Sequence, residues 1–390
     1  MEKLFARIEE LYPEMVELRR YFHQHPELSF QEVHTPKKIA QFLSELGIEV
    51  KTEVGGRGVV GYIRGGKPGK TVALRADFDA LPIQDEKDVP YKSTVDGVMH
   101  ACGHDAHTST LLFVAKVLAE HREELAGTVV LIHQFAEEIT PGGAISMIED
   151  GCLNGVDAIF GTHLWSPMPI GTVGYNAGPF MAAADRFELE IIGKGGHGAS
   201  PHETIDPIAV GTSIVQQLQQ IISRRINPLK PAVLTVASFN AGSAFNVIPS
   251  AASITGTVRT FDIDVQNQII TEMEMIIATT CESAGATYIF NYTKGYPAVI
   301  NHPDETALLM KSAKKVVGPE QTINIDPSMG GEDFAYYLQK VPGTFFFTGA
   351  SNAEKGITYP HHHGKFDIDE QAMLIAAKVL LTVTLDYLQQ

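Results

Sequence analysis

Three short apolar segments, each running straight into polar residues, constrain this chain more than any other feature. They are "TVALRADF" (Thr71–Phe78), "TVVLIHQF" (Thr128–Phe135) and "DAIFGTH" (Asp157–His163). Each has the length and β-branched content of a buried strand. Between the first two lies a helix pattern, His107–Leu125. Another, Thr35–Leu46, stops at Gly47, and glycine is a common helix stop. Strands alternating with helices predict an α/β layer structure, with a mixed sheet flanked by helices.

The segment 185–295 reads differently. "RFELEIIG" is a strand, "TIDPIAVGTSIVQQLQQIISRR" a helix, and "AVLTVASF" and "ASITGTVRTF" are two strands. "DVQNQIITEMEMIIATTCESAG" is a helix and "TYIFNYT" a strand. The order β-α-β-β-α-β is the split, ferredoxin-like arrangement. The α/β pattern resumes afterwards, with a strand at "GTFFFTGA" and a closing helix at "EQAMLIAAKVLLTVTLDYL". We therefore expect an α+β domain, 185–295, inserted into an outer domain built from 1–184 and 296–390. A length of 390 residues suits that division.

Bulk properties narrow the partners. With 44% hydrophobic and 19% charged residues, the chain can bury a sizeable core. A formal net charge of −16 argues against nucleic acid or an anionic membrane. The N-terminal "MEKLFARIEELYPEMVELRRYFHQHPEL" reads as an amphipathic helix and lacks the apolar core of a signal peptide. No run approaches the roughly 18 apolar residues of a membrane span. Cys102, Cys152 and Cys281 are too few and scattered for a disulfide framework. The expected setting is the cytoplasm, with reduced thiols.

In open α/β sheets, sites form beyond the carboxyl ends of the strands. Here those ends deliver Asp77 and Asp79, then Glu137 and Glu138, then His163. The loop after "GTFFFTGA" brings His361, His362 and His363. "HACGHDAH" (His100–His107) sits just before a helix, near the same edge. Taken singly, each has a plain structural reading: turn or cap residues, solvated acids, a core histidine, a surface tract. Recurrence at several strand ends favours a shared site.

Thiolate, imidazole and carboxylate together suit zinc and its first-row neighbours. Adjacent glutamates suit a division of labour, one ligating a metal and its neighbour moving protons. A serine nucleophile has no GxSxG elbow here. Cys102 is better placed to share a metal with His104 than to attack. "GKGGHG" (Gly193–Gly198) fits neither common nucleotide-binding pattern.

With these residues assembled, the chain resembles the aminoacylase, hippurate hydrolase and auxin-conjugate amidohydrolase family, binuclear metallopeptidases related to carboxypeptidase G. The resemblance runs through "RRYFHQHPELSFQE", "LRADFDALPI", "GVMHACGHDAHTSTLL", "FAEEITPGGA", "GTHLW", "GKGGHGASPH", "FNVIP", "GGEDFAYY" and "HHHGKFDID". It implies hydrolysis of the amide bond of N-acyl amino acids, with a water activated by Glu137. It implies Cys102, His104, Glu138, His163 and His362 as ligands of two divalent ions, zinc or manganese first, cobalt or nickel as alternatives. His362 is chosen within the triple histidine because its spacing to Phe366 fits the family's His-x-x-x-Phe. Asp77 is implied as the carboxylate orienting a ligand, with Arg75 where related peptidases carry histidine. His197 is implied as oxyanion stabiliser, and Asn246, Gly330, Gly331 and Glu332 as substrate-binding residues. The inserted domain is implied to act as a lid and to form a homodimer or higher homo-oligomer. Two rivals stand beside this reading: a pathway deacetylase, as for N-acetyldiaminopimelate, and a catalytically silent metal- or ligand-binding protein on the same scaffold.

Overall fold

The computed structural model describes all residues, 1–390. The chain divides into two compact units. The first comprises 1–180, 300–327 and 333–390; the second comprises 181–299 and 328–332.

The first unit is built on an eight-stranded sheet. Its strands are β1 (Glu49–Val54), β2 (Gly58–Arg64), β3 (Lys67–Asp77), β4 (Ala126–Gln134), β5 (Ala158–Pro169), β6 (Val173–Tyr175), β7 (Thr322–Asn324) and β8 (Gly343–Ser351). The spatial order is β1-β2-β4-β3-β5-β8-β6-β7. The four middle strands are mutually parallel, while β1 and β2 join antiparallel at one side. Mixed pairing and apolar middle strands are what the sequence predicts. Strands covered on both faces read as continuous apolar runs, and β8 is buried along nearly its whole length.

Helices cover the sheet. The N-terminal pattern forms two helices, α1 (Glu2–Glu10) and α2 (Tyr12–Gln24), rather than one. The break falls at Pro13, which the first turn of a new helix tolerates and a helix interior does not. The remaining helices named here are α3 (His34–Glu45) and α4 (His104–Glu120). α4 is buried on almost every face: its later turns are apolar, while its first turns bury His104, Asp105, His107, Thr108 and Ser109. It starts three residues earlier than the sequence pattern suggests, which puts His104 in its first turn. The helix Gln371–Leu388 is, against the expectation from the sequence, long and apolar enough to cross a membrane by length and composition. Two thirds of it is buried inside the protein, and it packs on α4 and β3 as a core helix.

The second unit is a four-stranded antiparallel sheet carrying two helices. Its spatial order is Ala232–Ala241, Ala251–Thr260, Ala183–Ile192, Thr287–Tyr296. Burial alternates along Ala183–Ile192, so one face packs and the other does not. Phe187, Leu189 and Ile191 meet Ile214 and Leu218 of Pro207–Gln220, and Ile269, Met273 and Ile277 of Ile263–Ala284. Asp206 and Asp262 cap these helices through their side chains.

Candidate metal centre and catalytic site

The carboxyl ends of the parallel strands gather the predicted residues of the first unit. β3 ends on Asp77, and Asp79 follows it by two residues. β4 ends at Gln134, three residues before Glu137. β8 leads into the loop that carries His361–His363. His163 departs from this scheme: β5 runs on to Pro169, so His163 lies within the strand, opposite Phe347.

The side chains converge closely. Cys102 Sγ lies 3.3 Å from His163 Nε2. His104 Nε2 lies 3.8 Å from Glu138 Oε1 and 4.0 Å from Glu137 Oε2. His362 Nε2 lies 3.4 Å from Glu138 Oε2. Two overlapping donor groups result, Cys102–His104–Glu138 and Cys102–His163–His361, each with its donor atoms within 4.8 Å of one another. His361, the first of the three histidines, therefore also stands within 4.8 Å of the thiol. Its Nε2, however, receives the backbone N–H of Ser166 at 3.0 Å.

Neighbouring groups set which ring nitrogen faces the cluster. His104 Nδ1 bonds Asp79, 3.0 Å to Oδ1 and 3.1 Å to the carbonyl. His163 Nδ1 bonds the carbonyl of Leu164 at 2.9 Å. Both rings thus donate from Nδ1 and turn Nε2 inward, the usual way a ligand histidine is fixed. The carboxylate bonded to His104 is Asp79; Asp77 pairs instead with His107 Nδ1 at 2.7 Å and Arg75 at 2.6 Å, and lies 3.7 Å from His104 Nε2. The expectation that Asp77 orients a ligand therefore shifts to Asp79. Asp77 and Asp79 are equally spaced toward one face, and only the docking of α4 decides which ring each meets. Arg75 fills the place of the missing histidine as a buried anchor between Asp77 and Asp333.

His362 has left-handed backbone, φ 62°, and its N–H bonds the carbonyl of Ala101 at 2.8 Å. That conformation is uncommon outside glycine and often marks a functional constraint. Of the other residues in "HACGHDAH", His107 has both nitrogens engaged, receiving the Leu164 N–H at 2.9 Å on Nε2. Asp105 turns away to Arg19 at 2.8 Å and His23 at 2.7 Å.

The electrostatics are those of a cluster short of positive charge. Burial opposes a charge on His104, yet Asp77, Asp79 and Glu138 outweigh it and push its pKa up to about 10. Burial, then Glu138, Glu137 and Asp77, hold the Cys102 thiol well above the ordinary range. His104 Nε2 and Glu138 Oε1 are buried, face each other and have no hydrogen-bond partner. Unsatisfied buried donors and acceptors are costly, and a divalent cation between them removes the cost. The donor set of thiol, imidazoles and carboxylate suits such an ion.

The remaining predicted residues lie in the second unit. His197 is exposed, in a short ladder opposite Val247. Its Nδ1 accepts the N–H of Ala199 at 3.0 Å, which leaves the proton on Nε2. Asn246 is also exposed, and its carbonyl accepts the N–H of Gly198 at 2.9 Å. Gly330 accepts from Ala182 at 3.0 Å. A Cβ on Gly331 would come within 2.9 Å of the Ala184 side chain, so only glycine fits there. Glu332 is buried.

Residues 73–386 match the model of Peptidase family M20/M25/M40. The chain belongs to this family. It is 56% identical over 388 residues to YhaA of Bacillus subtilis, covering 100% of this chain and 98% of that one. It is 45% identical over 303 residues to the N-acyl-L-amino acid amidohydrolase of Geobacillus stearothermophilus, covering 78% and 82%. Among solved structures, YxeP of Bacillus subtilis, described as a dinuclear metal-binding peptidase of the M20 family, aligns with TM-score 0.83 and 38% identity over 98% and 99% of the chains. Family membership and the donor set together make this chain a hydrolytic enzyme, an amidohydrolase whose site suits two divalent metals.

Proposed function

We propose that the protein hydrolyses the amide bond of N-acyl amino acids. The observation that carries this is the placement of Glu137 and Glu138: one carboxylate among the donor atoms, the next beside them and 4.0 Å from His104 Nε2. Cys102, His104, Glu138, His163 and His362 would hold the two ions, with zinc or manganese favoured by the mixed donor set. When bound, such ions polarise a carbonyl oxygen and acidify water. Glu137 takes the proton of the attacking water as its oxygen adds to the acyl carbon. It then passes that proton to the leaving amino nitrogen as the C–N bond breaks. His197, with its proton on Nε2, is proposed as a hydrogen-bond donor to the developing oxyanion; sequence resemblance supports that role, and so does the tautomer. Asp79 keeps the His104 ring in the tautomer a ligand needs.

The test is a panel of N-acetyl-methionine, hippurate and N-acetyldiaminopimelate, offered to protein stripped and refilled with each metal. Glu137→Gln should keep its metal and lose roughly 10²- to 10⁴-fold in kcat. Full activity in that variant would remove the mechanism. A wild type silent across the panel would remove the function.

A further inference from the structure

The turn that presents Glu137 contains an uncommon backbone conformation. Ala136 has φ 51°, in the left-handed region that residues with a Cβ seldom adopt. Such a conformation persists only where surroundings hold it. Here the amides on either side of Glu137 are each held by a buried carboxylate from elsewhere in the fold. The N–H of Ala136 donates to Glu32 Oε1 at 2.9 Å. The N–H of Glu138 donates to Asp79 Oδ2 at 3.0 Å. Asp79 is itself held by the hydroxyl of Ser29 at 2.7 Å. Both Glu32 and Ser29 come from the loop between α2 and α3.

Glu32 is an odd residue to find there for structural reasons alone. It is 1% exposed, and its second oxygen, Oε2, has no hydrogen-bond partner. The only cation near it, Arg57, stands 3.9 Å from Oε2, and gives its short hydrogen bond to the backbone carbonyl of Glu32 instead. Burial, followed by the nearby charge of Asp79, pushes the Glu32 carboxyl up to about 7. A buried carboxyl at that cost, whose hydrogen bond to another residue goes to a left-handed residue next to the proposed proton carrier, implies a task at that bond.

We infer that Glu32 is a positioning residue for Glu137, acting by holding the Ala136 amide in the left-handed turn that aims the Glu137 carboxylate. This rests on the proposed role of Glu137 as proton carrier. Asp79 holds the opposite side of the same residue, so the two acids act as a pair of clamps on one turn. Small misplacements of a reacting group are costly: about 1 Å can remove 10²-fold in rate. Glu32 bonds none of the proposed donor atoms, so its loss should lower kcat and leave KM and metal content alone.

Two measurements test it. The first is hydrogen exchange of the amides in residues 135–138, on metal-replete protein. Wild type should protect the Ala136 amide, and Glu32→Ala should lose that protection. The second is kinetics in a double-mutant cycle with Ala136→Gly, using the panel substrate that wild type cleaves fastest. Glycine adopts positive φ at no steric cost. Glu32→Ala should therefore cost roughly 10- to 100-fold in kcat beside Ala136, and several-fold less beside Gly at that position. Glu32→Gln keeps an acceptor oxygen and should recover most of the loss. Glu32→Asp, which only withdraws the acceptor by one methylene, serves in the cycle should Glu32→Ala not fold. Unchanged exchange, or a kcat loss of equal size in both backgrounds, would overturn the inference. Loosened exchange in a protein that cleaves no N-acyl amino acid would keep the clamp and refute the proposed function instead.

Discussion

Asp79 Oδ1 and His104 Nδ1 meet at 3.0 Å with both residues buried, and the far nitrogen of the same ring, Nε2, has no partner. One bond thereby fixes which ring nitrogen faces the cluster. The other oxygen of Asp79 holds the N–H of Glu138, so a single carboxylate sets the orientation of one donor residue and the backbone of another. Asp79→Ala should lower metal affinity roughly 10- to 100-fold, the usual cost of losing such an outer partner. Asp79→Asn, which can still accept one bond, should lose less. Competition with a chromogenic chelator measures both. Wild-type affinity in Asp79→Ala would remove Asp79 from this role.

The two adjacent histidines of the last loop should separate cleanly. His362 faces Glu138, whereas His361 spends its Nε2 on the Ser166 N–H. His362→Ala is expected to lose at least one equivalent of metal by elemental analysis. His361→Ala is expected to retain full metal content and to lose thermal stability, because a buried backbone donor is left unmet. The reverse pattern would transfer the ligand assignment to His361.

Much of this was legible in the sequence because parallel strands covered on both faces are uninterrupted apolar runs, and their ends announce themselves as polar clusters. The helix break at Pro13 was also readable in principle. Which acid serves which histidine was not. Asp77 and Asp79 are two apart on one strand end, and His104 and His107 are one helical turn apart on α4. Those two spacings are similar, about 6.6 Å against 4.5–5.4 Å, so either pairing is sterically reasonable. The observed crossing, Asp79 to His104 and Asp77 to His107, is set by how α4 docks on the sheet. The strained Ala136 and His362 were equally invisible, since neither is a glycine, the residue whose presence signals a positive φ.

His107 gives a prediction opposite in kind to that for His104. It spans Asp77 and the Leu164 N–H and has no nitrogen left over. His107→Ala should keep both metals. It should destabilise the fold by about 1–3 kcal/mol, the cost of a buried donor losing its partner. Asp77 remains paired with Arg75, which limits the damage. Denaturant titration and elemental analysis on the same preparation check it. Loss of metal with unchanged stability would place His107 among the ligands.

Acid sensitivity should trace in part to His133 of β4, which is not among the proposed donor residues. It is fully buried, bonds Thr108 at 2.6 Å through Nδ1, and has no partner at Nε2. Burial pushes its pKa down to about 3, against about 6.5 in an unfolded chain. The fold therefore prefers the neutral ring. Between these values the unfolded chain takes up a proton that the native state refuses, so stability is full above about pH 6.5 and declines as pH falls toward 3. His100, held down to about 4 chiefly by burial, acts in the same direction. His133→Gln should accordingly flatten, without abolishing, the loss of urea midpoint between pH 7 and pH 4.5. The comparison is made on each protein's own change with pH, which cancels the constant cost of the substitution. Parallel pH profiles for the two proteins would show that the His133 ring titrates alike in the folded and unfolded chain.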